Sequence, residues 1–172
     1  MDLRIAGIVN DSITDGPGLR LSVFAQGCPH NCKGCHNLHT HEMDGGTYET
    51  TENILAKAKQ NPLLAGVTLT GGEPFMQPEA MAEIAAGAHA LGLNVIAFTG
   101  FVWEELVQNE RHLALLQHCD YVIDGRFEEA LRSLELEFKG SSNQRLIGVV
   151  KSLEAGQAVV YENFEDARAA NR

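Results

Sequence analysis

The chain has 172 residues, with 13 lysines and arginines against 23 aspartates and glutamates, and so a formal net charge of −10. This length and a hydrophobic fraction of 44% predict one folded domain over residues 1–172. Its core is expected at about 19–150, with a C-terminal extension at 151–172. The acidic excess argues against nucleic acid as a partner, because phosphate binding needs clustered lysine and arginine. The sequence contains no run of about 18 apolar residues, which a membrane-spanning helix would need. The first residues also lack the apolar run of a signal peptide, so a cytoplasmic protein is expected.

Apolar, strand-prone segments alternate along the chain with segments of helical periodicity. The predicted strands are 19–26, 66–70, 93–100, 120–124, 145–150 and 157–161. The predicted helices are 52–60 with Thr51 as N-cap, 78–91 with Pro78 in its first turn and Gly92 after its end, and one or two within 102–118. Residues 27–46 are predicted to form a loop, 126–138 an irregular or helical segment, and the last eleven a frayed end or a short helix. Four strand–helix units in succession favour an α/β fold, with parallel strands and helices outside.

Distinctive residues follow four of the predicted strands. Cys28 comes after the first strand and Gly71-Gly72-Glu73-Pro74 after the second. Thr99-Gly100 ends the third strand, and Asp124-Gly125-Arg126 ends the fourth. The carboxyl ends of parallel strands lie at one edge of a sheet, where active sites gather. The sequence therefore predicts a single site at this edge.

Three cysteines form the most specific motif. Cys28, Cys32 and Cys35 have the spacing C-x3-C-x2-C, whereas Cys119 lies far away before an apolar strand and is predicted to be a buried small side chain. A 4Fe–4S cluster usually takes four cysteines, so three ligands leave one iron open, as catalytic zinc keeps one position open for substrate. A structural zinc ion is the alternative, with a fourth ligand from His30, His36, His39 or His41. The spacing favours the cluster.

This cysteine spacing after a first strand resembles the radical S-adenosylmethionine (SAM) superfamily. The resemblance implies a curtailed partial (βα) barrel in which the three cysteines bind a 4Fe–4S cluster and SAM chelates the open iron. It also implies reductive cleavage of SAM to methionine and a 5′-deoxyadenosyl radical, which is chemistry that the cofactor carries. Many members have an aromatic residue at the position of Gly34, so this chain departs from them at a predicted adenine contact.

The resemblance also implies which residues contact SAM. They are His36, Gly71, Gly72, Glu73, Thr99, Asp124 and Arg126. Backbone carbonyls at the glycines and the Glu73 carboxylate would accept bonds from the SAM ammonium group. Thr99 would supply a hydroxyl, Arg126 would pair with the SAM carboxylate, and His36 would lie near adenine. Taken one by one, these residues are equally typical of ordinary turns and solvated loops.

Further segments narrow the resemblance to the activases of glycyl radical enzymes. They are DGPGLR at 15–20, FAQGC at 24–28 and CHN at 35–37. In such activases the DGPG stretch docks the glycine loop of the partner, which implies that Asp15 contacts the partner backbone. DGRF at 124–127 and GSSNQR at 140–145 resemble the branch that activates the anaerobic ribonucleoside-triphosphate reductase, although His41 stands where that branch often has tryptophan.

Membership of that branch implies a specific reaction. The deoxyadenosyl radical would take the α-hydrogen from one glycine of the large reductase subunit, and reduced flavodoxin would be the electron donor. Two alternatives remain. One is activation of another glycyl radical enzyme of the formate-lyase type, and the other is a non-enzymatic zinc or iron–sulfur binding module. The GGEP and DGR segments at matching strand ends speak against the binding module.

Overall fold

The computed structural model describes residues 1–171, in which eight strands form one open sheet of order β3-β1-β2-β4-β5-β6-β7-β8. The strands are β1 (Asp2–Ser12), β2 (Arg20–Ala25), β3 (Thr47–Thr50), β4 (Gly66–Gly71), β5 (Asn94–Phe98), β6 (Tyr121–Asp124), β7 (Arg145–Gly148) and β8 (Val160–Tyr161). The helices are α1 (Thr51–Gln60), α2 (Pro78–Ala90), α3 (Trp103–Leu106), α4 (Glu110–Leu116), α5 (Val149–Ala155) and α6 (Phe164–Ala170). This mixed α/β sheet, unclosed within the described residues, agrees with the predicted partial barrel.

The four central strands, β2, β4, β5 and β6, are parallel. Their carboxyl ends lie at one edge of the sheet. At this edge Ala25 pairs with Gly71, and Phe98 pairs with Ile123. The expectation that the motif residues share one edge is therefore confirmed.

The flanking strands are antiparallel, which the sequence pattern did not predict. Between β6 and β7 the chain forms only a 3-10 turn, Glu129–Leu131, so no helix carries it across the sheet and it returns in the opposite direction. Strand β1 was not predicted either. Its buried apolar residues are few, and pairing with β2 and β3 on either side holds it in the sheet.

The two faces of the sheet differ because side chains alternate along each strand. Val67 and Leu69 of β4 pack with α1, α2 and α4 in the larger hydrophobic core. Thr68 and Thr70 of the same strand point to the second face, where a smaller apolar cluster forms around Ile96 and Phe164. The second face thus combines polar side chains on β4 with apolar ones on β5 and α6.

The helices begin largely where the sequence indicates. Pro78 starts α2, whose Met81, Ile84, Ala85 and Ala88 are buried as predicted, whereas Leu91 lies outside the helix and is exposed. The N-cap of α1 is Thr50, which accepts a hydrogen bond from Asn53 N, and not Thr51, which is the first helical residue. Residues 149–150, predicted as strand, begin α5. None of the helices within residues 1–171 has the length and apolar character of a membrane span.

Candidate cofactor site

The cysteine loop leaves β2 and is held at its start by backbone hydrogen bonds. Gly27 N donates to Thr40 O at 2.7 Å, and Cys28 N donates to His41 O at 3.2 Å. The loop turns at Asn31 (φ 51°) and Gly34 (φ 77°), both in the left-handed region. A bulky aromatic residue is strained in that region. The departure from the aromatic residue of the resembled family at Gly34 therefore has a conformational reason.

A cavity of about 150 Å³ lies between this loop and the edge of the sheet. All three loop cysteines line it and are half-buried. Gly71, Gly72 and Thr99 form the facing wall, at the ends of β4 and β5. The structure thus brings together six of the residues that the sequence predicted for one site. His41 also lines this cavity.

The turn after β4 lies directly against the start of the cysteine loop. Gly72 N donates to Ala25 O and Glu73 N donates to Gly27 O, both at 2.8 Å. A Cβ atom at Gly72 would stand 2.5 Å from Gly27 O, so only glycine fits this close approach. The two glycines therefore present backbone, and not side chains, to the cavity.

The Glu73 carboxylate is fully buried behind this wall. One oxygen accepts hydrogen bonds from Phe75 N at 3.0 Å and from the Thr99 hydroxyl at 2.9 Å. The other accepts from Gly100 N at 2.8 Å and lies 2.6 Å from His30 Nε2. A carboxylate has about four acceptor positions, so these four contacts fill them. The predicted contact of Glu73 with SAM stays a prediction, and it requires the exchange of one of these bonds.

Asp124 and Arg126 also lie outside the cavity wall. Asp124 is fully buried, accepts from Trp103 N at 2.7 Å and pairs with Arg145, which also bonds the exposed Glu104. This pairing lowers the pKa of the Glu104 carboxyl, chiefly through its hydrogen bond from Arg145. Arg126 is exposed; burial raises the pKa of the Cys32 thiol, and the charge of Arg126 offsets a part of this effect. Their predicted contacts with SAM stay predictions.

A second cavity of about 880 Å³ adjoins the first, and Asn37, Thr70 and Phe98 line both. His36 and Asp15 lie in its wall. His36 stands edge-on to the ring of Phe127, with ring centroids 5.5 Å apart. The predicted site therefore divides into a small compartment at the cysteines and a large one next to it.

Asp15 is held on the second face of the sheet by polar side chains. One of its oxygens accepts from Ser12 at 2.6 Å and from Ser22 at 2.9 Å. The Thr68 hydroxyl donates to Asp15 O at 2.9 Å and accepts from Arg20 Nε at 2.7 Å. Arg20 is fully buried, and desolvation lowers its pKa to about 10. The DGPG stretch is thereby fixed beneath the larger cavity.

The chain matches a known protein family. Residues 14–147 match the family model described as a 4Fe-4S single cluster domain. The chain belongs to this family. The predicted 4Fe–4S cluster is therefore confirmed as the cofactor type, and zinc at these cysteines is not supported.

Named relatives also match the chain, two of them over most of its length. The anaerobic ribonucleoside-triphosphate reductase-activating protein of Enterobacteria phage T4 is 34% identical over 139 residues, which are 77% of this chain and 85% of the relative. The protein of the same name from Salmonella typhimurium is 31% identical over 141 residues, 77% of this chain and 90% of the relative. The pyruvate formate-lyase-activating enzyme of Clostridium pasteurianum is 42% identical, over 47% of this chain and 36% of that enzyme. The predicted resemblance to activases is confirmed.

One solved structure also matches in part. The crystal structure of QueE from Escherichia coli superposes with a TM-score of 0.47 at 20% identity, over 58% of this chain and 53% of that one.

Three cysteine side chains that line one cavity are a donor set that fits the cluster of this 4Fe-4S family, because cysteine thiolates bind the irons of such clusters. Burial raises the pKa of the Cys28 and Cys32 thiols. Cluster binding therefore displaces thiol protons, and it is favoured as the pH rises.

Two residues in the wall of the small cavity, His30 and Gln144, were not predicted to have the contacts that the structure shows. His30 was weighed only as a zinc ligand, yet its ring is 4% exposed and contacts Glu73. Gln144 lines the small cavity and ties two loops together, accepting from Gly140 N at 2.9 Å and donating to Gly125 O at 3.0 Å. Their partners lie 43 and up to 19 positions away, so no local pattern marks them. The only signal for Gln144 was its place in the GSSNQR segment.

Proposed function

We propose that this protein is a radical SAM enzyme that activates an anaerobic ribonucleoside-triphosphate reductase by forming a glycyl radical on its large subunit. The main support for the proposal is a pair of adjoining cavities. The three cysteines line one of them, and Asp15, the predicted contact of the partner, lines the other. The names of the relatives that cover most of the chain support the same reaction. When bound together, the 4Fe–4S cluster and SAM supply the 5′-deoxyadenosyl radical, with methionine as the second product.

The residues of the small cavity bind and orient the cofactors in this proposal. Cys28, Cys32 and Cys35 bind the cluster. The carbonyl groups at Gly71 and Gly72 accept hydrogen bonds from the SAM ammonium. The Thr99 hydroxyl donates to Glu73 and its oxygen accepts from Phe101 N, so one lone pair remains for a ligand.

Two side chains outside the wall complete the proposed cofactor contacts. Arg126 is exposed and able to swing, and it pairs with the SAM carboxylate through a forked contact. His36, in the wall of the larger cavity, contacts the adenine side of SAM. Asp124 keeps its pair with Arg145 and fixes the turn that carries Arg126.

The larger cavity accepts the partner segment that contains the target glycine. Its volume of about 880 Å³ lies in the upper part of the range for ligand sites. One Asp15 oxygen accepts from two serine hydroxyls, and the other, which has no hydrogen bond from the part of the chain that the structure describes, accepts a backbone N–H of the partner. A glycine segment bonded there lies next to the cofactor compartment, since the cavities share Asn37, Thr70 and Phe98. Removal of its α-hydrogen leaves a radical that the flanking amide groups stabilise.

Reduced flavodoxin or a similar low-potential protein is the proposed electron donor. The outer side of the cysteine loop is exposed at Asn31, Lys33 and Gly34, so a donor reaches the cluster over a short distance. Lys33 is 91% exposed and lies 3.8 Å from the carboxylate of Glu129. The exposed Arg126 is a second cation near this loop.

The test is formation of a glycyl radical, measured by electron paramagnetic resonance. The anaerobically reconstituted protein is incubated with dithionite, SAM and either the reductase large subunit or a pyruvate formate-lyase. The expected result is a glycyl radical on the reductase and formation of 5′-deoxyadenosine, both lost with the Cys28→Ala variant. A signal on the lyase alone would replace the reductase by the second candidate, which the partial match to a formate-lyase-activating enzyme favours. No deoxyadenosine with either partner would leave a binding module.

A further inference from the structure

His30, between the first two cysteines, is anchored to the sheet and not to solvent. Its side chain is 4% exposed, and Nε2 lies 2.6 Å from the buried Glu73 carboxylate. Because an ionised carboxylate only accepts hydrogen bonds, Nε2 is the donor. A charge-assisted bond of this length is stronger than a neutral one. The middle of the cysteine loop is thus joined to the turn after β4.

The environment of the His30 ring is shaped to hold it in one position. The ring stands edge-on to Phe101, with centroids 4.6 Å apart and planes at 79°. It also lies over Gly100, where a Cβ atom would collide with the ring carbons. Gly100 N bonds the same carboxylate that His30 bonds. Two strand ends, β4 and β5, therefore meet at this histidine.

We propose that His30 is a positioning residue, which acts through Glu73 to fix the cysteine loop against the turn after β4. The hydrogen bond from the ring to the Glu73 carboxylate holds the side chain in place, and Gly100 and Phe101 pack against the ring. The expected effect on cluster binding rests on the proposed function, whereas the contact between His30 and Glu73 exists in the metal-free protein. The two are therefore tested separately.

The first test measures amide hydrogen exchange of the metal-free protein by mass spectrometry. In His30→Ala, exchange in peptides covering 26–41 should rise by about tenfold or more, which corresponds to about 1.4 kcal/mol. His30→Gln should restore protection, because the glutamine amide places an N–H where Nε2 stands. The control is His118→Ala, an exposed histidine outside the site. Equal exchange in wild type and His30→Ala, or no rescue by glutamine, would overturn the proposal.

The second test uses the reconstituted protein and measures iron per chain. His30→Ala should retain half the iron of wild type or less, because the cysteine loop is no longer fixed by the contact with Glu73. His30→Gln and His118→Ala should match wild type in iron content. An unchanged iron content in His30→Ala would also overturn the proposal. A wild type with a protected loop and a full cluster that forms no glycyl radical would instead refute the proposed function alone.

Discussion

Replacing Asp124 by alanine tests whether this carboxylate is a structural partner of Arg145. Asp124 is fully buried and accepts from Trp103 N at 2.7 Å and from Arg145 Nε at 3.0 Å. Arg145 is 31% exposed and has a second carboxylate partner in Glu104. Removal of the Asp124 carboxylate therefore leaves Trp103 N–H without its acceptor. It also leaves the Arg145 guanidinium with Glu104 as its remaining carboxylate partner among the described residues.

The cost of this change follows from these contacts. Removal of one partner from a fully buried ion pair costs about 3–5 kcal/mol. The partial exposure of Arg145 and its bond to Glu104 reduce this to about 2 kcal/mol, to which the lost acceptor of Trp103 N adds about 1 kcal/mol. We expect Asp124→Ala to lower the free energy of unfolding by about 3 kcal/mol, and the melting temperature by roughly 6–12 °C.

The assay is thermal and urea unfolding of the metal-free protein, followed by circular dichroism. Glu104→Gln is the matched control, because it removes the exposed partner of the same arginine and should cost less than about 1 kcal/mol. Equal losses in the two variants would refute the reasoning. A stable Asp124→Ala variant that binds the cluster but no longer binds SAM would refute it too, and would make Asp124 a cofactor ligand.

Three other predictions concern the loop, the partner and pH. Alanine at any one of the three loop cysteines should abolish cluster binding measured as iron per chain, whereas Cys119→Ala should keep the cluster and cost only about 1 kcal/mol of stability. Asp15→Ala should raise the Kd for the partner about tenfold in a pull-down titration while SAM cleavage without partner continues; a loss of cleavage would contradict this. The hydrogen bond from Arg111 holds the pKa of Glu79 at about 2. The small contribution of this exposed pair to the free energy of unfolding is therefore fully present above about pH 4.5 and is lost as the pH falls toward 2. The same contribution should be absent at every pH in Glu79→Gln.

The sequence pattern was sufficient for the parts of the fold that depend on local periodicity. The four parallel strands and α2 repeat apolar residues at the spacing of their own element, so each is visible in a short window. Strand β1 has only Leu3 and Ile5 buried in its first half and Gly7 after them, and its position depends on neighbours that are distant in the chain. The antiparallel direction of β7 likewise depends on what lies between β6 and β7, where a 3-10 turn stands in place of a crossover helix.

The same distinction applies to the site. Cysteine spacing is local, and it led directly to the cluster type that the family match confirms. The partners of Glu73 and Asp124 come from other strands, and they decide that both carboxylates are buried behind the cavity wall and not in it. The motifs therefore predicted which residues lie near one site. They did not predict which of these residues line the small cavity.

The eight-stranded arrangement stops short of a full ring within residues 1–171, with the four-residue β3 at one border and the two-residue β8 at the other. Both borders of an open sheet present unpaired backbone N–H and C=O groups, which are a template for pairing with another chain. Border strands of four and two residues keep this template short. The length of the border strands therefore limits edge-to-edge aggregation of the protein.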